Sequence, residues 1–391
     1  MPARIRSLLM LTRVPGIGVQ RFRALVDHFH GADAVLGASP RELCGAPGIH
    51  RRTALAGASF LKGPAGKEAA GFADDQLRRM DLAGGRCVTI WDTEYPAALK
   101  RIYDPPPLLF LRGSLVPGDS SSLAIVGTRS PSAYGVQIAE RFAAGLARLG
   151  ITVVSGLARG IDTAAHTVAV RSGGRTLAVI GSGLDVVYPP ENRELATRIA
   201  SLGGVLSEYP MGTKPDAGNF PRRNRIISGI SIGTIIVETA TDGGAMITAS
   251  TALDQNREVF AIPSPVREGR PGGTNMLIRS GRALLVETVE EVIEELRPHL
   301  RDILPPGVPL KERARPVLTL FEQGVLEAFT DDAPVHVDML AARARMPISD
   351  VLAHLLALEC KGVVRQMPGK YFVRSLAGLL FAAAPSVLFF C

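Results

Sequence analysis

The chain has 391 residues, of which 46% are hydrophobic and 21% are charged. This length is too great for one ordinary core, and the composition excludes disordered and fibrous proteins, so two or three globular domains are expected. The formal net charge of +7 favours a polyanionic partner, because clustered Lys and Arg gain affinity by releasing counterions from a phosphate backbone.

The four cysteines, at positions 44, 87, 360 and 391, are far apart and form no C-x-x-C pair. Neither a disulfide framework nor a zinc site is therefore predicted, and a reducing cytoplasm is the expected compartment. No signal peptide is predicted, because no sustained apolar stretch precedes Arg13.

Residues 1–80 carry most of the basic excess, with twelve Lys and Arg against six Asp and Glu, hence +6. Apolar residues recur at helical spacing over residues 5–29 and are interrupted by the sequence VPGIG at 14–18, which predicts a helix–hairpin–helix (SAM-like) domain. A second, weaker hairpin is predicted at 46–49. The glycine turn places free amides at the start of a helix near Val19, where they can hold a phosphate. A plain αα-hairpin is the alternative.

Residues 81–118 are predicted to be a connecting segment that contains two short strands and a stiff run of three prolines. From 119 to 300, apolar runs alternate with helical stretches, which predicts a Rossmann-like α/β domain with a parallel sheet wrapped by helices. Ligands bind at the carboxyl ends of the strands in such sheets. The predicted strands of the chain are Cys87–Trp91, Leu108–Leu111, Leu123–Val126, Thr152–Ser155, Thr176–Ile180, Val205–Ser207, Thr234–Val237, Val259–Ile262 and Ala283–Val286.

The end of the chain predicts a linker at 301–315 and a winged-helix domain at 316–375, in which helices precede a strand–turn–strand ribbon. Two of its helices are expected to open at the capping residues Asp338 and Ser349. One helix is expected to turn its leucines towards the core, at positions 352, 355, 356 and 358.

The winged-helix domain has six Lys and Arg against seven Asp and Glu, hence −1, which favours a protein contact over DNA binding. The uncharged tail at 376–391 has 16 residues, fewer than the roughly 20 that span a bilayer, so no membrane association is predicted. The tail is expected to fold onto a neighbouring domain or to be an unusual terminal extension.

The first strand of the parallel sheet ends in Gly127, Thr128, Arg129 and Ser130. This loop matches neither the dinucleotide fingerprint nor the loop of nucleotide hydrolases. It offers backbone amides, two hydroxyls and a guanidinium, which are suited to gripping a phosphate oxygen. An ordinary turn is the alternative.

The sequence NFPRRNR at 219–225 brings three arginines, Arg222, Arg223 and Arg225, to a predicted helix start. Cations there oppose the helix dipole, and a bound anion would remove the conflict. Phe220 beside them offers a stacking surface of the kind that single-stranded nucleic acid uses. The alternative is a solvated basic turn with Phe220 in the core.

Glycine-rich polar segments follow three other strands, at 155–160, 181–183 and 241–244, and close approach of a ligand to the backbone would explain them jointly. An acid–base pair of Asp162 and His166 is conceivable, but a helix-capping Asp162 and a locally hydrogen-bonded His166 are favoured.

Two glutamates that follow strands, Glu208 and Glu238, could activate water, but no metal-ligand set accompanies them. Neither enzymatic activity nor a cofactor or metal is therefore predicted.

These segments resemble the DNA-processing protein A (DprA, also called Smf) family. Matching stretches occur in order along the chain, at 124–129, 155–162, 183–189, 207–210, 220–228 and 273–275. The resemblance implies a bacterial homodimer that binds single-stranded DNA, protects incoming strands and loads RecA recombinase onto them during natural transformation and homologous recombination. Together the motifs and the resemblance predict a phosphate- and DNA-binding set of Gly127, Thr128, Arg129, Phe220, Arg222, Arg223, Asn224, Arg225, Gly243, Gly244 and Asn275.

The sequence departs from the family at Gly243 and Ala245, where serines are common, and at Ser264, where glycine is usual. The first two departures are expected to weaken phosphate contact from that loop. Two other classes remain open. A phosphoribohydrolase-type nucleotide enzyme would carry a P-G-G-x-G-T-x-x-E run, and residues 271–274 begin such a run but lack its glutamate. A transcription factor that acts through the winged helix is disfavoured by the charge of that domain.

Overall fold

The computed structural model describes residues 2–265, 272–300, 318–330, 334–361, 363–367 and 369–374. The chain divides into two units, Met1–Val308 and Pro309–Cys391. The predicted linker at 301–315 and the apolar tail at 376–391 lie outside the described residues. No helix in the described ranges is long and apolar enough to cross a membrane.

Six helices begin the first unit: α1 (Pro2–Leu11), α2 (Val19–His28), α3 (Ala32–Gly37), α4 (Pro40–Leu43), α5 (Arg51–Lys62) and α6 (Pro64–Leu82). Glycine turns lie at both predicted hairpins, with Gly16 at φ 78° and Gly48 at φ 73°, a left-handed backbone that favours glycine. Arg21 donates hydrogen bonds to the carbonyl oxygens of both glycines, at 2.8 and 3.1 Å, and so ties the two hairpins together. The helix predicted near Val19 begins there. Phosphate binding at its start stays a prediction.

The rest of the first unit is built around a nine-stranded sheet. Its strands are β1 (Gly85–Thr89), β2 (Leu108–Gly113), β3 (Leu123–Val126), β4 (Val153–Ser155), β5 (Thr176–Val179), β6 (Gly204–Ser207), β7 (Gly233–Ile236), β8 (Glu258–Ala261) and β9 (Leu284–Leu285). They are arranged in the order β1-β2-β6-β5-β4-β3-β7-β8-β9. Strands β3 to β9 pair in parallel, which confirms the predicted α/β class.

The two strands of the segment 81–118 belong to the same sheet. Strand β2 pairs antiparallel with β6, where Phe110 lies opposite Ser207, and β1 pairs antiparallel with β2, where Cys87 lies opposite Phe110. Both strands are buried over most of their length. The segment therefore extends the sheet, in addition to connecting the front helices to it.

Helices cover both faces of the sheet, because its central strands are apolar on both sides. They are α7 (Ala97–Lys100), α8 (Ala133–Arg148), α9 (Ile161–Arg171), α10 (Arg193–Leu202), α11 (Asn219–Ile230), α12 (Gly244–Asp254), α13 (Gly273–Arg279), α14 (Val289–Glu295) and α15 (Arg297–Leu300). Fully buried Leu123, Ile125, Phe142 and Phe260 pack in this core.

The described residues of the second unit form three helices and a three-stranded sheet: α16 (Leu320–Glu327), β10 (Val335–His336), α17 (Val337–Ala344), α18 (Ile348–Cys360), β11 (Val364–Met367) and β12 (Tyr371–Arg374). The strand order is β10-β12-β11, with β11 and β12 forming the predicted ribbon. Two predicted caps are wrong, because Asp338 and Ser349 lie inside the first turns of α17 and α18.

The expected core face of α18 is partly wrong. Val351, Leu355 and Leu358 are fully buried, whereas Leu352 and Leu356 are 37% and 63% exposed. Positions 351, 355 and 358 follow the helical period, which places Leu352 and Leu356 on a different face.

A buried ion pair closes the connection between β2 and β3. The Asp119 carboxylate accepts hydrogen bonds from Nε of Arg175 at 2.7 Å and from Oγ1 of Thr152 at 2.9 Å. The same guanidinium donates to the carbonyl oxygens of Ser114 and Leu202. Arg175, which directly precedes β5, therefore connects that strand to the segment before β3.

Asp119→Ala should lower the free energy of unfolding by about 3–5 kcal/mol, because it leaves the partly buried Arg175 without its carboxylate. Urea denaturation measures this loss. Glu191→Ala is the control, since Glu191 forms an exposed ion pair with Arg159, and its midpoint should stay at the wild-type value. Equal midpoints for the two variants would contradict the structural role of Asp119.

Candidate nucleic-acid interface

The parallel strands reverse their direction of addition between β3 and β7, and open α/β sheets bind ligands outside such a point. The loop that follows β3 is held closely there. The Thr128 amide donates to the Glu238 carbonyl at 2.7 Å, and the Thr128 carbonyl accepts from the Ile161 amide at 3.2 Å. A Cβ at Gly127 would lie 2.6 Å from Cγ1 of Ile161, so this position requires glycine.

Four side chains form what we name the aromatic cluster: Arg129, Arg159 and Tyr188 from three loops, and Phe220 from the first turn of α11. The guanidinium carbon of Arg129 lies 4.8 Å from the Phe220 ring centre, and that of Arg159 lies 5.9 Å from the Tyr188 ring centre. The two ring centres are 6.0 Å apart. Arg129 is exposed and Phe220 is partly exposed, so the cluster presents cations and aromatic faces to solvent.

Two members of this cluster, Arg159 and Tyr188, are absent from the predicted site residues. Both stand in stretches that matched the family, but neither has a local pattern that marks it as a ligand contact. Only the three-dimensional proximity of the loops after β4 and β5 to the start of α11 brings them beside Phe220.

The glycines of the loops after β4 and β5 lie close to other residues of the protein, which differs from the expectation that a ligand explains them. A Cβ at Gly181 would lie 3.1 Å from the Phe220 ring, one at Gly156 would lie 2.6 Å from the Arg223 guanidinium, and one at Gly160 would lie 2.4 Å from the Thr128 carbonyl oxygen. These glycines make room for the first turn of α11 and for the loop after β3.

Arg223 is buried beneath the aromatic cluster, with 3% of its surface exposed. Its guanidinium donates to the carbonyl oxygens of Gly156, at 2.5 Å, and of Val179, at the ends of β4 and β5. Burial lowers the pKa of Arg223 to about 10. Its predicted contact with DNA stays a prediction, and its observed contacts fix α11 on the sheet.

Arg225 is paired with two carboxylates. Its Nε lies 3.0 Å from Oδ2 of Asp104, and one terminal nitrogen lies 2.5 Å from Oε2 of Glu208. Burial raises the pKa of Glu208 above its usual range. The conflict between the arginines and the helix dipole is therefore reduced here by protein carboxylates, whereas the sequence predicted a bound anion in that role.

The remaining predicted residues of α11 differ in their surroundings. Arg222 is exposed, and no hydrogen bond or ion pair of its side chain occurs among the described residues. Oδ1 of Asn224 accepts a hydrogen bond from Nε of Arg223 at 3.2 Å. Arg222 is thus the arginine of this segment whose charge faces solvent.

Three predicted residues lie beyond β7. Gly243 precedes the first turn of α12, and Gly244 is exposed with open space where a Cβ would stand. Asn275 closes a loop, because its amide group accepts from the Ser264 N–H at 3.0 Å and donates to the Ser264 carbonyl at 2.7 Å. Gly244 offers an accessible backbone, whereas the Asn275 side chain already has backbone partners.

The candidate acids and bases all have structural partners. The Asp162 carboxylate accepts from the amides of Gly156 and Ala158, so it holds the loop before α9 and does not cap the helix as expected. His166 forms its predicted local hydrogen bond, from Nδ1 to Oγ1 of Thr176 at 2.8 Å, and burial lowers its pKa to about 3. Glu238 accepts from the backbone and hydroxyl of Ser132 at the start of α8. No cluster of metal-ligating side chains occurs in the described part of the chain.

Known proteins resemble this chain over both units. Residues 86–297 match the family model described as DNA recombination-mediator protein A, and residues 309–370 match that of the DprA winged helix domain. Protein Smf of Escherichia coli K12 is 42% identical over 284 residues, which cover 71% of this chain and 74% of that protein. DNA processing protein DprA of Bacillus subtilis 168 is 42% identical over 214 residues, covering 54% and 72%.

A solved structure from the same family has a similar fold. The X-ray structure of DNA processing protein A from Streptococcus pneumoniae superposes with a TM-score of 0.62 at 33% identity, and the match covers 75% of this chain and 98% of that one. The predicted family resemblance and the winged helix are confirmed. Since the first family model spans more than half of the sequence, the chain belongs to the DNA processing protein A (DprA/Smf) family.

Proposed function

We propose that this protein binds single-stranded DNA at the aromatic cluster, protects incoming strands, and loads RecA recombinase onto them during natural transformation and homologous recombination. One observation carries the binding step: the exposed Arg129 guanidinium lies 4.8 Å from the centre of the partly exposed Phe220 ring, at the topological switch point of the sheet. A cation and an aromatic face side by side match the alternating phosphates and bases of a nucleic-acid strand.

The cluster favours a single strand over a duplex for a physical reason. A base stacks on an aromatic side chain only when it is unpaired and turned out, and each such contact contributes about 1–3 kcal/mol. Phe220 and Tyr188 supply two neighbouring rings for this purpose. Arg129 and Arg222 supply exposed guanidinium groups for the phosphates.

Arg223 and Arg225 have a supporting role in this proposal. Arg223 holds the start of α11 against the ends of β4 and β5, and Arg225 holds the same helix to Asp104 and Glu208. Both keep Phe220 in place. We propose a binding protein and not an enzyme, because the candidate acids and bases described above are engaged in holding loops and helix starts.

Family membership supports the later steps. Relatives in Bacillus subtilis and Streptococcus pneumoniae are named DNA processing protein DprA. We extend that role to this chain, with RecA as its protein partner and a homodimer as its working form.

Binding of single-stranded and duplex oligonucleotides across a salt series tests the proposal, followed by RecA filament formation with and without the protein. Preference for the single strand and faster filament formation are expected. Equal affinity for both forms of DNA would contradict the binding step, and unchanged filament formation would contradict RecA loading.

Arg129→Ala should weaken binding of single-stranded DNA by about 1.5–3 kcal/mol, because a charge-assisted contact to phosphate is lost. The slope of log K against log salt should become shallower by about 0.7. Arg148→Ala is the matched control, since Arg148 is exposed at the far end of α8. The same loss in both variants would assign the effect to overall charge.

Phe220→Ala should weaken binding by about 1–3 kcal/mol for each stacked base and leave the salt slope unchanged, because stacking releases no counterions. Titration at several salt concentrations separates the two effects. A slope reduced as in Arg129→Ala would show that Phe220 acts by positioning the arginine and not by stacking.

The winged helix has surface features of a protein contact. Leu320, Phe321 and Leu356 are 84%, 63% and 63% exposed, and the Phe321 ring stacks on His354 at 5.7 Å. Lys361 is held 2.7 Å from both carboxylate oxygens of Glu322, so one cation near the ribbon is already paired. Exposed apolar side chains on residues 316–375, which have a net charge of −1, favour a protein partner.

Residues 316–375 in isolation should bind neither single-stranded nor duplex DNA at physiological salt, because this segment lacks a net positive charge. The unit has its own buried core, which includes Val325, Leu340, Leu355 and Phe372. NMR shifts during oligonucleotide titration provide the measurement. Saturable shifts along 361–374 at low micromolar DNA would show that the ribbon binds DNA after all.

A further inference from the structure

A second basic site lies beside the aromatic cluster, in a cavity of about 510 Å³ between α6 and the sheet. Arg79 and Leu82 come from α6, Arg112 from β2, Asp185 and Val187 from the loop after β5, and Arg193 from α10. Four elements distant in sequence thus bring three guanidinium groups to one cavity. Its volume falls within the range of small-ligand sites, roughly 300–1,000 Å³.

The loop after β6 joins the walls of the cavity through hydrogen bonds to α6 and to the loop after β5. Gln76, which is 3% exposed, donates from Nε2 to the Met211 carbonyl at 3.2 Å and accepts from the Met211 amide at 2.6 Å. Asp185 accepts from the Gly212 amide at 2.7 Å and lies 3.4 Å from Arg79. The cavity is therefore formed before any ligand arrives.

The charges that line the cavity are unbalanced. Arg79 is engaged by Asp75 at 2.8 Å and by Asp185. Within the described residues, the side chains of Arg112 and Arg193 have neither a hydrogen bond nor a carboxylate partner. Two guanidinium groups without protein counterions at one cavity favour an anion that accepts several hydrogen bonds, and phosphate is such an anion.

The cavity continues from the aromatic cluster. Val187 in its wall directly precedes Tyr188, whose ring centre lies 6.0 Å from that of Phe220. One peptide bond therefore separates a residue of the cavity wall from a ring of the aromatic cluster. Leu82, which is 76% exposed, and Leu184 also line it and offer apolar surface for a sugar or a base.

We propose that this cavity binds a further nucleotide of the same single-stranded DNA, with Arg112 and Arg193 on its phosphate. The inference rests on the proposed function, because the aromatic cluster delivers the strand. The cavity extends the binding track from the sheet towards the front helices.

The test compares the wild-type protein with the double variant Arg112→Gln/Arg193→Gln on oligothymidylates of about 2 and about 20 nucleotides, since the cluster offers two rings. The longer strand should bind about tenfold more weakly to the double variant, and its salt slope should become shallower by about 1.4, that is, two phosphate contacts. The shorter strand, which fills only the aromatic cluster, should bind both proteins equally.

Arg198→Gln is the matched control, because Arg198 is exposed on the same helix and does not line the cavity. It should bind the long strand as the wild type does. If the double variant fails to fold, Arg193→Gln alone carries the test, with an expected slope change of about 0.7.

The outcomes separate this inference from the proposed function. If Arg129→Ala weakens binding but the double variant binds the long strand like wild type, the cavity is not part of the track. A wild-type protein that binds no single strand overturns both. Thymidine monophosphate is titrated as a second phosphate-containing ligand. If it binds tightly to the wild type but not to the double variant, and both proteins bind the long strand equally, the cavity is a site for a free nucleotide.

Discussion

A guanidinium group buried among backbone carbonyls fixes the start of α11 on the sheet, and the geometry of the aromatic cluster depends on it. Arg223 donates to the carbonyl oxygens of Gly156 and Val179. The amide of the same Gly156 donates to the buried Asp162, which places a negative charge on the other side of that residue. A buried cation is costly unless it is hydrogen-bonded and balanced, and the residues around Gly156 meet both needs.

This arrangement accounts for several features at once. Position 156 requires glycine, because a Cβ would lie 2.6 Å from the guanidinium. Phe220 stands three residues before Arg223, about one helical turn away, so the anchoring of Arg223 also sets where the ring lies. The carboxylates of Asp104 and Glu208 form ion pairs with Arg225 and so fix the following residues of α11. The exposed face of the site is therefore supported from beneath by the buried Arg223 and by the partly buried ion pairs of Arg225.

The strands of the sheet could be predicted from sequence, because short apolar runs bounded by glycines and polar residues mark buried parallel strands. Strand β3 has the predicted bounds, and β4 and β6 differ from their predicted bounds by one residue at the start.

Two parts of the site could also be predicted. The loop at 127–129 directly follows β3, and Phe220 lies in the first turn of α11. The partners of Arg223 and Arg225 could not, since residues 104, 156 and 208 come together only in the folded chain. The exposed Leu356 shows the same limit on a small scale, because an apolar helix allows more than one buried face.

The docking of α6 through Gln76 has a consequence for how a bound strand would be shaped. Front helices and sheet are joined within one unit, so the span between the aromatic cluster and the cavity is set by the protein and not by the ligand. A flexible single strand can adopt that spacing, whereas the spacing of a stacked duplex is fixed by its own helix. The protein would thus select polymers whose backbone can bend to this fixed spacing, whatever the order of their bases.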